Sequence, residues 1–310
     1  MAMSRTRKTV LIITSVVVVL FLVVLIGLAV LVAAFRRGEP RIDNNSVLAL
    51  RVAGSLPDYV PDDPLRRFLS TDQSLSNLTL QFSKAKVDNR IKVILLDINM
   101  TNAGMGKAEE IRDAIADFRS SGKPVYAYIE YGTDKEYYIA TACDKIFVAP
   151  PGELFINGFA ANVMFFRGSL DKLGVYPDMV QMGKYKTAVE TFTRKDMSDA
   201  NREFINSLLD DLFNRYVDTI AKARNKSADE VRALIDDAPY SAAKAKELGL
   251  IDGVAYHDEI EKELKTGLGY KESDELHVVS GSAYSDVEPG SLGLDKGERI
   301  AVIFAAGDIG

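Results

Sequence analysis

The sequence predicts an α/β fold of crossover β-α units preceded by one transmembrane helix, and three features carry that prediction. From residue 46 onward, apolar runs of strand length alternate with segments of helical periodicity, as crossover units require. The run "IKVILLDIN" (Ile91–Asn99) is almost continuously apolar, the pattern of a parallel strand buried on both faces. Ahead of these, Thr9–Phe35 carries no charged residue.

That first segment, "TVLIITSVVVVLFLVVLIGLAVLVAAF", runs for about 27 residues, enough to cross a hydrocarbon layer of about 30 Å at about 1.5 Å per residue. A cleaved signal peptide has an apolar region of only about 7–15 residues followed by a small-residue cleavage site, whereas this run ends in Phe35-Arg36-Arg37. No cysteine follows it for lipid attachment. Arg5, Arg7 and Lys8 precede the span and Arg36, Arg37 and Arg41 follow it, so the charge rule leaves orientation open. The free amino terminus leans it toward a cytoplasmic N-terminus, with the main domain outside the cytoplasm.

"SVLALRVAG" (Ser46–Gly54) reads as a strand closed by glycine, followed by a Pro- and Asp-rich loop through Pro64 and a helix over Leu75–Val87. After the Ile91 strand, "AEEIRDAIADFRSSGK" sets Ile111, Ile115 and Phe118 on one helical stripe, with acidic residues in its first turn and Gly122 past its end. "PVYAYI" and "KIFVA" are further strands, with the helical "EYYIATA" between them. A long amphipathic helix begins near Asp199 and places Phe204, Leu208, Leu212, Tyr216 and Ile220 at helical spacing. A second helix starts at Ser227 with Glu230 completing a capping box, and a third runs from Ser241 to Leu248 and stops at Gly249. The pattern then dissolves. The closing "RIAVIFAAGDIG" (Arg299–Gly310) repeats the plan of "SVLALRVAGSLP" (Ser46–Pro57), a strand leading to Ala-Gly and a turn. The expected organisation is a stub and transmembrane helix over 1–38, a principal unit over 46–262, a connector over 263–297 and the start of a truncated second repeat over 298–310.

A net charge of −6, with no basic run interleaved with aromatics beyond the membrane flanks, argues against a nucleic-acid partner. Cys143 is the single cysteine, and its neighbours in "YYIATACDKI" suggest a buried helix position and not a nucleophile. His257 and His277 lie in polar segments without ligand spacing, so no metal site, Cys-His pair or cofactor is expected.

Lys184 and Lys186 stand out in "QMGKYKTAVETF" (Gln181–Phe192), which reads as a short strand with both amines on one face. Gly183, Thr187 and Ala188 leave room there for another chain to approach. A solvated surface lysine is the default; a lysine serves as a base only when a low-dielectric pocket surrounds its amine.

"GKYKTAVETFTRKDMSDANREFINSLLDDLF", "DFRSSGKPVYAYIEYGTDKEYYIATACDKIFVAPPGELFINGF" and "AKAKELGLIDGV" together resemble the signal peptide peptidases of the S49 serine peptidase family. The resemblance extends over most of residues 46–262 and is strongest to the N-terminal half of the long, two-repeat form. It implies a crotonase/Clp-protease-like fold and a Ser-Lys dyad, with the lysine in the first repeat and the serine in the second. The lysine that follows the tyrosine of "YK-[small]-AVE" is Lys186 here, which makes Lys186 the expected catalytic residue. The family's serine sits in an "ASGGYY"-like segment, where this chain reads "GTDKEYY" with Asp134 in its place. An aspartate cannot do the work of a serine hydroxyl in acyl transfer. Gly104-Met105-Gly106, the nearest counterpart of the family's oxyanion-stabilising Gly-Gly turn, reads as a structural turn. Ser169 and Ser198 lie outside the nucleophile segment.

By the resemblance, then, the chain is the N-terminal part of a membrane-anchored serine endopeptidase, single-pass in the cell inner membrane. It would act on released signal peptides and other apolar peptides, require a second repeat for the serine and form a homo-oligomer; alone it would be inactive. The alternative is a non-catalytic membrane-tethered peptide-binding or assembly module.

Overall fold

A computed structural model describes residues 14–27, 40–60, 73–298 and 300–303. Four parallel strands form the centre of the sheet: β1 (Ser46–Gly54), β2 (Ile91–Thr101), β3 (Val125–Thr133) and β4 (Lys145–Phe155). Helices α1 (Leu75–Val87), α2 (Met105–Arg119) and α3 (Asp134–Ala140) lie between them in the chain, one per crossover among the described residues. Registers such as Leu48↔Ile94, Leu96↔Ala127 and Tyr128↔Phe147 keep apolar side chains level across the strands.

Both faces of these strands are covered, as the continuous apolar run over Ile91–Asn99 requires. On one face Leu48, Leu50, Ile94, Leu96 and Ile129 pack with Leu78 and Phe82 of α1 and with Ile111, Ile115 and Phe118 of α2. The α2 stripe is wholly buried, and each such side chain contributes about 1.5–3 kcal/mol relative to exposure. Phe118 meets Phe82 edge-on at 6.2 Å. On the other face Val47, Val93, Leu95, Tyr128 and Phe147 lie under Ile260 and Leu264. Where β3 and β4 lose register between Ile129 and Tyr131, the backbones come so close that a Cβ on Gly152 would stand 2.5 Å from the Glu130 carbonyl oxygen. Only glycine fits there.

Beyond β4 come two short helices, α4 (Arg167–Lys172) and α5 (Glu190–Thr193), then the long α6 (Asp199–Arg224) and α7 (Ala228–Asp236). The expected capping box at Ser227 and Glu230 is present in both directions. The two-residue strand β5 (Tyr240–Ser241) pairs antiparallel with β4, and β6 (Gly253–Val254) pairs parallel with it. Between them α8 (Ala242–Glu247) ends at Gly249, whose φ of +70° favours glycine. The helix α9 (His257–Gly267) supplies the cover of the second face. The stripe expected on α6 divides: Tyr216 and Ile220 are buried, whereas Phe204 and Leu208 are each 51% exposed.

The segment expected as a connector over 263–297 is a docked part of the domain. Its strand β7 (Val278–Ser280) pairs parallel with β1 at the sheet edge, and α10 (Gly281–Ser285) follows. The anchor is Lys84 of α1, 1% exposed, whose amine donates to the carbonyls of Tyr284 (3.0 Å), Ser285 (3.1 Å) and Val287 (2.9 Å). It also stands 5.2 Å from the Tyr284 ring. Burial lowers the Lys84 pKa, against the pull of Glu288 and Asp286. Tyr284 in turn donates its hydroxyl to Asp88, which also holds Arg90. No apolar periodicity announces this arrangement, in which the buried Tyr284 and Val287 join the polar contacts of Lys84.

Of the span expected over Thr9–Phe35, residues 14–27 are described and form a helix exposed along its length; the remainder lies outside the described residues. Among the described residues no helix is long and apolar enough to cross a membrane. Within Arg299–Gly310, residues 300–303 are described and carry no strand; the rest of the expected second unit lies outside the described residues.

Lys84→Met, which keeps the stem and removes the amine, leaves three inward carbonyls without their donor. We expect it to destabilise the chain by about 1–3 kcal/mol in denaturant unfolding and to raise amide exchange over residues 278–287. Asp88 supplies a pH dependence. Burial opposes its ionisation, but the side-chain and N–H bonds from Arg90 and the Tyr284 hydroxyl outweigh that and hold its carboxyl below the usual range. Its contribution is therefore complete above the unfolded value of about 4 and is lost as pH falls through the lower folded value. Asp88→Asn should flatten the acid limb of the stability profile.

Candidate functional site

After β4 the chain leaves the sheet. Between residues 157 and 199 a single residue, Glu190, is buried. This arm is held to itself by small contacts. The Phe166 N–H donates to the Thr191 carbonyl at 2.7 Å, and the Phe166 and Phe192 rings stack at 6.0 Å. Asp171 takes Arg167 at 2.6 Å and Lys195 at 2.8 Å.

Lys184 and Lys186 lie in this arm, and the strand expected for them is a turn. Gly183 has φ +99°, the Lys186 N–H closes back on the Gly183 carbonyl at 3.2 Å, and a 3-10 turn, Thr187–Val189, leads into α5. Without a neighbouring strand to pair with, the glycine's left-handed backbone prevails over the extended pattern. The two amines have different surroundings. Lys184 bonds the Tyr185 hydroxyl and lies 3.7 Å from Glu203, and these, Tyr185 first, raise its pKa. Among the described residues no hydrogen bond or ion pair engages the Lys186 amine, which is exposed.

The base of the turn is polar. Glu190 is 5% exposed, and its carboxylate accepts from the Ser198 hydroxyl (2.5 Å), the Ser198 N–H (3.2 Å) and the Asn201 side-chain amide (3.0 Å). Burial opposes its charge, but those three bonds prevail and hold its pKa below the usual range. Ser198 is the N-cap of α6, so its hydroxyl is committed to structure. No pattern of bases and nucleophiles in the sequence points to Glu190 or Asn201; the available signal is an acid eight residues before a Ser N-cap.

The segment "GTDKEYY", where the family's serine would stand, forms the end of β3 and the start of α3. Its polar groups are all engaged. Asp134 is 8% exposed and accepts the Gly158 N–H at 3.0 Å; burial raises its pKa against that bond. Lys135 donates to the carbonyls of Thr101 (3.0 Å) and Ala103 (3.1 Å). Glu136 accepts the N–H groups of Thr101 (2.8 Å) and Thr133 (3.0 Å). Gly104 is the N-cap of α2, and a Cβ on Gly104 or Gly106 would meet nothing within 4 Å. The C-terminal ends of parallel strands are where such sheets bind ligands, and here Lys135 ties that region to its own backbone.

Cys143 is buried but lies in the turn after α3, not within a helix, and burial pushes its thiol far up, away from thiolate chemistry. His257 stacks edge-on against Tyr128 at 5.6 Å and His277 against Tyr270 at 5.6 Å. Among the described residues no cluster of His, Cys, Asp or Glu could hold a metal ion.

Asp134→Asn tests the role of this segment as a structural one. An acid whose folded pKa is raised costs stability once pH exceeds its unfolded value, about 3.9, and the cost levels off above the folded value. The asparagine oxygen can still accept the Gly158 N–H. The variant should therefore match the parent below about pH 4 and exceed it in melting temperature at neutral pH.

The family model for Peptidase family S49 matches residues 117–271, which contain β3, β4, the Asp134 segment, the Lys186 turn and Glu190. The chain is 35% identical over 270 residues to the serine protease SPPA, chloroplastic, of Arabidopsis thaliana, covering 87% of this chain and 39% of that protein. It is 34% identical over 248 residues to Protease 4 of Salmonella typhi, covering 77% of this chain and 40% of that one. It thus spans about two fifths of the length of these curated relatives. Among solved structures, a membrane-bound stomatin-specific protease is similar at a TM-score of 0.44 and 15% identity, over 76% of this chain and 97% of that one. The family match covers half of the sequence and includes both segments singled out above, and the chain belongs to peptidase family S49.

Proposed function

We propose that this chain is the base-bearing part of a membrane-anchored serine endopeptidase. Lys186 is its general base, and the nucleophilic serine comes from a second repeat. The observation that carries this reading is the state of "GTDKEYY" in a member of the S49 family. Asp134 stands at the serine position and is buried against Gly158, so this unit has no nucleophile there, while the Lys186 amine has no hydrogen-bond or ion-pair partner among the described residues. The domain is read as one crotonase/Clp-protease-like repeat, with the beginning of another over 298–310.

In the reaction, neutral Lys186 takes the serine proton as the hydroxyl attacks a peptide carbonyl, then returns it to the leaving amine; water completes deacylation. A lysine is neutral at working pH only when desolvated. Lys186 is exposed in this chain, so the reaction requires that another surface cover it. Exposed apolar side chains in the same arm suit such a cover: Tyr176 is 80% exposed, Val180 85% and Met182 83%. Released signal peptides and other apolar peptides are the proposed substrates. A transmembrane helix over Thr9–Phe35 is the proposed anchor, N-terminus cytoplasmic in the cell inner membrane, in keeping with the exposed apolar helix over 14–27. The same apolar arm favours a second reading, a non-catalytic membrane-tethered peptide-binding or assembly module.

The reading frame separates the two. Sequence continuing past Gly310 into a repeat with a Ser-Gly-Gly segment supports the peptidase, and a stop codon there supports the module. In the complete enzyme Lys186→Ala should lower cleavage of an apolar peptide by about 10²–10⁴-fold, and Lys184→Ala should cost far less. Equal losses in two folded proteins would show the base to be misassigned. The 310-residue chain alone should hydrolyse no apolar peptide ester; hydrolysis abolished by Ser169→Ala or Ser198→Ala would overturn this. Alkaline carbonate washing should leave the protein in the membrane fraction, and removal of residues 1–38 should release it.

A further inference from the structure

We infer that Glu190 is a positioning residue for Lys186: its carboxylate, with Asn201, fixes the Lys186 turn to the N-terminus of α6. The inference rests on the proposal that Lys186 is the base, and adds a residue that acts through it. Three observations meet at one place. Glu190 is the one buried residue of the arm between 157 and 199, so the turn that carries Lys186 has no buried apolar side chain of its own. Its three donors, the Ser198 hydroxyl, the Ser198 N–H and the Asn201 amide, all belong to the first turn of α6 or its cap. A carboxylate is also favoured there by the unpaired N–H groups and the dipole of a 26-residue helix.

The link from Glu190 to the lysine is short. Asn201, 5% exposed, donates through its side-chain nitrogen to Glu190 and accepts through its side-chain oxygen the hydroxyl of Thr187 at 3.2 Å. Thr187 is the residue next to Lys186. The 3-10 turn Thr187–Val189 is thus pinned at both ends, by Asn201 at its first residue and by Glu190 immediately after its last. With φ and ψ set on the residues that follow it, the Lys186 backbone is left few directions in which to project its side chain. An amine on a flexible four-carbon stem gains most from such preorganisation, because a misplacement of about 1 Å can cost on the order of 10²-fold in rate.

The test uses Glu190→Ala, Glu190→Gln and Asn201→Ala, with Lys186→Ala as the control. In the 310-residue chain, amide exchange over residues 184–189 should rise in Glu190→Ala while exchange in β1 and β2 stays as in the parent. In the complete enzyme, kcat on an apolar peptide should fall by about 10²-fold with KM within a factor of about two. Glu190→Gln, which keeps an acceptor oxygen, should recover part of that loss. Unchanged exchange at 184–189 overturns the inference, as does full kcat in Glu190→Ala when Lys186→Ala is inactive. A fall in KM-dependent binding alone, or loss of exchange protection throughout the sheet, would make Glu190 a general structural residue and overturn it too. Activity surviving Lys186→Ala overturns the dyad itself, and the positioning role with it.

Discussion

Burial of parallel strands on both faces is the constraint on which the rest of this domain depends. A strand such as β2 has no solvent side, so the chain must supply a helical layer above and below it. The crossover helices α1 and α2 provide one layer as a direct consequence of connecting parallel strands. Among the described residues the other face has no crossover helix of its own, and α9, more than 100 residues further along, comes back to close it over Val93, Leu95 and Phe147. The same logic reaches the sheet edge. β7 pairs with β1 and covers an otherwise open row of backbone groups, which is how exposed edges are kept from pairing with other chains.

Where the chain departs from the sheet, the source of order changes from apolar to polar. α10 is held by an ammonium among carbonyls, and the Lys186 arm by a carboxylate among donors at a helix start. Both are buried charges with nearly all their bonding capacity used, the condition under which such groups hold a geometry instead of weakening it. The Asp134 segment follows the same rule with a different outcome. Asp134, Lys135 and Glu136 each bind backbone groups across β2, β3 and the loop after β4, so the strand ends are fastened to one another.

The legible part of the sequence was the part governed by apolar periodicity and local caps. The α2 stripe, the continuous β2 run, the Ser227–Glu230 box and the Gly249 stop each state their own answer within a few residues. The docking of 277–287 was not legible, because its signal is a lysine about 200 residues away and a lysine pattern carries no period. The Lys186 turn was misread as a strand for a related reason. Alternation across Lys184 and Lys186 satisfies a two-residue period, but a strand also needs a partner, and Gly183 bends the chain where none lies alongside. Family resemblance, not periodicity, singled out Lys186 over Lys184.

The half-buried stripe of α6 bears on what the arm is built to meet. Its apolar spacing runs unbroken from Phe204 to Ile220, yet this domain covers only the C-terminal part, with Tyr216 and Ile220 buried and Phe204 and Leu208 half exposed. The N-terminal part lies beside the Ser198 cap and hence beside the Glu190 bonds that fasten the Lys186 turn. A helix keeps an apolar face where water is to be excluded. Water exclusion is also what a lysine base requires, since desolvation is the means by which an amine loses its proton near neutral pH. Uncovered apolar side chains on α6 and the arm therefore belong to the same part of the chain as the one amine whose proposed chemistry depends on a cover.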